Sequence, residues 1–108
     1  MSMTTMTDKT WKAAERQIAR IFGGQRRGAD YKKKDGGGKS DIILDGWSIE
    51  VKHNKRPFFQ LMFDAAVQAE KNRESPTDIP IAVIHKAGTP YKDSLVVMRI
   101  ETFQDFFV

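Results

Sequence analysis

The chain has 108 residues and no Cys, the size of one small domain, and disulfide and thiolate chemistry are excluded. Hydrophobic residues make up 40% and charged residues 30%, an ordinary globular balance. No stretch is apolar enough to span a membrane and Met1 to Thr7 lacks an apolar signal core, so a cytoplasmic setting is expected. The net charge of +4 is unevenly spread. From Lys9 to Lys39 ten Lys and Arg stand against three acids; from Ser40 onward eight stand against ten. A basic N-terminal third suits a polyanion such as DNA, whose phosphates dominate affinity, and it equally suits a solvated surface. A zinc site would have to draw on carboxylates and on His53 and His85 alone.

The spacing of Trp11, Ala14, Ile18 and Ile21 predicts an amphipathic helix over 8–22, with Thr7 or Asp8 as its cap and Gly23-Gly24 as its stop. Glu15 falls beside that stripe, at the edge of a core or aimed into a cleft. Residues 23–39 form a Gly-rich basic stretch, read as a loop with a short strand near Ala29 to Lys32. Its Arg26, Arg27, Lys32, Lys33, Lys34 and Lys39 are candidate phosphate contacts. Gly38-Lys39-Ser40 is similar to the end of a phosphate-binding loop. That pattern needs Gly where Lys33 stands and a helix afterwards, so nucleotide binding is rejected.

Two apolar runs flank Asp45-Gly46, a two-residue hairpin signal whose turn positions both call for positive φ, and strands are predicted over 40–44 and 47–53. This turn pairs Ile42 with Ile49 and sets Asp41 opposite Glu50. Alternation gives Ile42, Leu44, Trp47, Ile49 and Val51 to a core face. Asp41, Ile43, Ser48, Glu50 and Lys52 fall on the other. Directly opposed carboxylates repel, with Cβ atoms roughly 5 Å apart. Spacing leaves two readings open: a solvated charged face with Lys52 as mediator, or a hard divalent cation bridging the pair.

Further on, 57–73 reads as a helix, with Pro57 in its first turn and Ser75-Pro76 as its stop. Its apolar face draws on Phe58, Leu61, Met62, Ala65, Ala66 and Ala69. Residues 80–85 and 94–100 read as buried strands, and 101–107 as a short closing helix. His53, Asn54, Lys55 and Arg56 leave the charged strand as a polar turn, with Lys55 and Arg56 as candidate phosphate contacts. His85, at a strand end, reads as structural.

The order of a helix bearing Glu15, Asp41 at a strand start, Glu50-Val51-Lys52 on the next strand and then a helix resembles the PD-(D/E)XK nuclease superfamily. Within it the chain is similar to the small Holliday-junction resolvases and to short phage-encoded nucleases. The literal Pro-Asp start is absent, since Ser40 precedes Asp41. The resemblance implies an α/β, mixed α+β, restriction-endonuclease-like core: a central mixed sheet flanked by helices. It implies a Mg²⁺-dependent endodeoxyribonuclease, with Mn²⁺ able to substitute, held by Asp41, Glu50, the Val51 main-chain carbonyl and Glu15, the last through water. Lys52 would orient the attacking water and steady charge on the phosphate. Gln68, with Ser48, would support the site from behind. Branched DNA would be the substrate, and a homodimer would bring two sites together for DNA recombination; the alternatives are a nicking or restriction-like DNA nuclease without junction preference and a DNA-binding module without catalysis. The apolar excess of Phe58, Phe59, Met62 and Phe63, or alternatively the C-terminal phenylalanines, would supply the dimer seam.

Overall fold

A computed structural model of the chain describes residues 10–28 and 39–108; the expected strand near 29–32 and Lys32, Lys33 and Lys34 lie outside them. The elements run α1 (Trp11–Phe22), β1 (Gln25–Arg26), β2 (Ile42–Ile43), β3 (Trp47–Asn54), α2 (Phe59–Lys71), β4 (Ile79–Lys86), β5 (Leu95–Val97) and α3 (Ile100–Phe107). The strands form one mixed sheet in the order β1-β2-β3-β4-β5, parallel between β3 and β4 and antiparallel elsewhere. The expected mixed α/β architecture is present. Among these residues no helix is long and apolar enough to cross a membrane.

Helix α1 ends as expected at Gly23, whose φ of 81° is left-handed; the Gly23 and Gly24 amides return to Arg20 and Ala19. At its other end Thr10 stands at the cap without a side-chain bond. The expected stripe is corrected. Ala14, Ile18 and Ala19 are buried, while Trp11 and Ile21 are half exposed, so the buried side is rotated toward Glu15.

A strand that periodicity could not reveal follows at once. Gln25 and Arg26 pair with Ile43 and Ile42. Gly24 permits this approach, since a Cβ there would meet the Ile43 carbonyl at 2.6 Å. The Asp45-Gly46 turn holds the expected register, Ile42 against Ile49, with Leu44 O accepting from Trp47 N at 3.1 Å. Its φ pattern differs from expectation: only Gly46 is positive, at 87°, which fits a type II turn better than a type I′ turn.

Strand β3, at the sheet centre, is covered on both faces. Ile49 and Val51 join Ile42, Ile81 and Val83 under α1. The opposite face meets α2, where Ala65, Ala66 and Ala69 allow close approach and Ser48 Oγ donates to Ala69 O at 2.7 Å. Phe58, expected on the buried face of this helix, is instead its exposed N-cap. The expected buried strand over 94–100 shrinks to Leu95–Val97 at the sheet edge, where Leu95 and Val96 are more than half exposed while Val97 packs against Ala65 and Ile84.

Candidate active site

The sheet order explains how residues 26 positions apart meet. The Asp41 main chain is held from both sides: its N–H donates to Ile49 O at 3.0 Å and its carbonyl accepts from Arg27 N at 2.8 Å. Its side chain turns toward β3, where Oδ2 accepts from Val51 N at 2.8 Å. The N–H and C=O of a strand residue point to the same edge, so the Val51 carbonyl is aimed to the Asp41 side as well.

Glu50, beside it, is 1% exposed. Burial, and then the neighbouring Asp41 charge, push its carboxyl up to about 8. Asn72 Nδ2, donating to Glu50 Oε2 at 2.9 Å, and the charge of Lys52 pull the other way without cancelling the rise. Asn72 takes the supporting role expected of Gln68. It is the C-cap of α2, four residues beyond Gln68, which is exposed on that helix. The sequence signal for Asn72 is no more than an amide at a helix end. Ser48, expected on the face away from the core, is buried, and its hydroxyl ties β3 to α2 through Ala69 O.

Glu15 reaches the same neighbourhood from α1. Burial, and then the Asp41 charge, raise its carboxyl; Arg26 and Lys52 oppose the rise. Its Oε1 accepts from Arg26 Nε at 2.7 Å, and the Arg26 guanidinium lies 5.6 Å from the Trp11 ring centre. A cleft of about 140 Å³ opens over Glu15 and Asp41, with Arg26, Arg27 and Lys39 along its rim. All three cations also have partners within the chain. Arg27 donates to Ser40 O and Glu74, and Lys39 sits 3.6 Å from Glu74. Lys55 and Arg56 are exposed in the turn after β3, where the Arg56 amide bonds the Asn54 side chain at 2.8 Å.

Asp41, Glu50, Lys52 and Glu15 are thus brought within electrostatic reach of one another. Among the described residues no three His, Asp or Glu side chains are grouped as a ready cation site, since Glu15 is turned to Arg26. The donor chemistry fits a hard cation: two adjoining carboxyl groups offer oxygen ligands, and burial, then the neighbouring Asp41 charge, make the ionised form of Glu50 costly unless positive charge stands beside it.

A larger cleft, about 780 Å³, lies elsewhere, at the C-terminal ends of β3 and β4, and sequence reasoning did not find it. His53 and His85, paired across those strands, meet Nδ1 to Nδ1 at 2.9 Å. Their planes differ by only 18° with centroids 5.0 Å apart, the geometry of edge-to-edge contact. The Thr89 carbonyl can only accept, so His85 Nε2 carries its hydrogen, and in the neutral pair His53 Nδ1 donates to His85 Nδ1. Tyr91 stacks on His85 at 4.0 Å. His85 is thus held at both ring nitrogens and on one face, and is 2% exposed.

No family model, curated protein or solved structure matches the chain.

Proposed function

We propose that the chain is a divalent-cation-dependent DNA endonuclease of the PD-(D/E)XK type, acting on branched DNA as the small junction resolvases do. The observation that carries the reading is the Asp41–Glu50 pair: two adjacent carboxylates, one of them buried and held protonated to about 8, on the strand that also bears Lys52. A carboxyl group with only a solvating role has no reason to sit, as Glu50 does, 1% exposed at the centre of a sheet.

Asp41, Glu50 and the Val51 carbonyl would hold Mg²⁺ or Mn²⁺, with Glu15 behind them. A bound ion would supply charge to the phosphoryl oxygens and acidify a water. The chain's own residues prepare that chemistry. Val51 N–H fixes one oxygen of Asp41, and Asn72 fixes one of Glu50. Lys52 keeps positive charge beside both carboxylates, where it can steady a phosphate or hold the attacking water. Arg26, Arg27 and Lys39 at the rim stand where a DNA backbone would pass, and Lys55 and Arg56 extend the basic surface past β3.

The test is cleavage of a labelled four-way junction and its matched linear duplex, with Mg²⁺ or with EDTA, for wild type, Asp41→Asn and Lys52→Ala. Metal-dependent paired cuts in the junction, lost in both variants with the fold retained, are expected. Equal cutting of the linear duplex would keep the nuclease and remove the junction preference. Tight binding in EDTA with no cutting in either metal would replace the enzyme with a DNA-binding module.

A further inference from the structure

The rotation of α1 toward Glu15 leaves a large aromatic ring half in water at the edge of the candidate site. Trp11, the first residue of α1, is 50% exposed, while Ala14, Ile18 and Ala19 fill the buried side of the helix. The chain's other indole, Trp47, packs against the core and against Phe22, with ring centres 6.4 Å apart. A single exposed ring is ordinary on a protein surface. The surroundings of this one are not.

Trp11 lies one helical turn before Glu15, so the two side chains are neighbours on α1. Together with Asp41, Arg26, Arg27 and Lys39 they line the cleft of about 140 Å³. That space is about five times the ~30 Å³ of a water in the liquid, room for one flat heterocycle and too little for a duplex. Two cations flank the ring: Lys12 Nζ at 5.5 Å from its centre and the Arg26 guanidinium at 5.6 Å. Both stand near the outer limit of a cation–π contact, about 6 Å, and the ring stays half exposed between them. Arg26 does not need the ring to hold its place, because its Nε already donates to Glu15 at 2.7 Å.

We propose that Trp11 is a stacking platform for an unpaired base of the DNA strand that enters the Glu15–Asp41 cleft, with Lys12 beside it for the adjoining phosphate. An aromatic face bordered by cations is how proteins grip single-stranded nucleic acid: the ring takes the base and the cations take the backbone. A duplex hides its base faces in its own stack, so this ring gains a partner only where a base is unpaired or turned out. The substrate is thereby narrowed from branched DNA at large to DNA with an unpaired nucleotide next to the cleft, at a flap, a gap or an opened branch point. The inference takes the nature of its ligand from the nuclease reading and adds the residue that selects among DNA forms.

The measurement is the affinity of the full chain for a labelled single-stranded thymine oligonucleotide and for a blunt duplex of the same length, by fluorescence anisotropy with Ca²⁺ in the buffer. Wild type, Trp11→Phe and Trp11→Leu are compared. Trp11 is half exposed, so the melting temperature should hold in both variants. Trp11→Leu should bind the single strand at least about 10-fold more weakly than wild type, Trp11→Phe should recover most of that loss, and all three should bind the duplex alike. Single-strand binding by Trp11→Leu equal to wild type overturns the platform. So does an equal loss on both DNAs, which would make Trp11 a support for Arg26. Either result leaves the nuclease reading standing where wild type cuts DNA in Mg²⁺. A wild-type chain that neither binds nor cuts either DNA removes that reading and the platform with it.

Discussion

Glu50 concentrates the conflict in this molecule. Folded, it keeps its proton to about 8; unfolded, it titrates near 4.5. Below 4.5 both states are protonated and stability from this group is intact. As pH rises, the unfolded chain gives up the proton while the folded one retains it, so stability falls until pH passes about 8 and then levels. Glu50→Gln has no proton to lose. It should unfold at similar urea concentration to wild type near pH 5, yet be more stable at pH 9 by roughly 1–3 kcal/mol. Urea titrations at the two pH values check this, and an equal gap at both would sink it. The pairing of Glu50 with Asp41 was legible because one turn fixes a whole register. Asn72 and Arg26 were not. They arrive from a helix end and from a two-residue strand, and neither position is written in the spacing around Glu50.

Elements with strong periodicity or a turn signal were read nearly to their ends: α2, β3 and β4; β2, expected over 40–44, is only Ile42–Ile43, though in the expected register. Those that failed did so for physical reasons. A strand of two residues such as Gln25–Arg26 has no alternation to detect, and Gly24 signals only that the backbone passes close. Ser94 to Ile100 reads as a buried strand because most of its residues are apolar, yet apolar residues also stand on protein surfaces, as Leu95, Val96 and Ile100 do. Trp11 and Ile21 fit helical spacing equally well on a stripe that Ala14 and Ile18 already fill. The packing of β3 on α2 turns on one hydroxyl. Ser48 Oγ supplies a hydrogen to Ala69 O, a carbonyl in the last turn of α2 with no partner inside the helix. Ser48→Ala leaves that buried carbonyl unsatisfied and should cost about 1–3 kcal/mol. For a chain of this size that is a fall of roughly 4–8 °C per kcal/mol, read by calorimetry. A melting temperature unchanged within a degree would show that water replaces the hydroxyl and that β3 and α2 are held by apolar contact alone.

At the scale of the whole molecule, charge and fold pull in different directions until a cation is supplied. Arg26, Arg27 and Lys39 line the same cleft as Glu15 and Asp41, so the cations that would meet DNA stand beside groups that repel it. The divalent ion proposed at Asp41 and Glu50 would reverse that local sign. Its binding would expel the Glu50 proton and so be coupled to pH: weak where the proton is held, stronger as pH approaches and passes about 8. Ion binding to the folded state alone also raises its stability, by about 2.7 kcal/mol at 100 times the dissociation constant. Mg²⁺ or Mn²⁺ should therefore raise the melting temperature at pH 9 by roughly 10 °C and hardly at all at pH 5. Asp41→Asn should show no rise at either pH, because a lone Glu50 with Asn beside it offers one charge where the ion needs two. Scanning calorimetry at both pH values, with and without the ion, separates this from general salt screening, which would act alike on the variant and at both pH values. A rise that persists in Asp41→Asn would place the ion elsewhere and leave the carboxylate pair as a cost the fold carries for another reason.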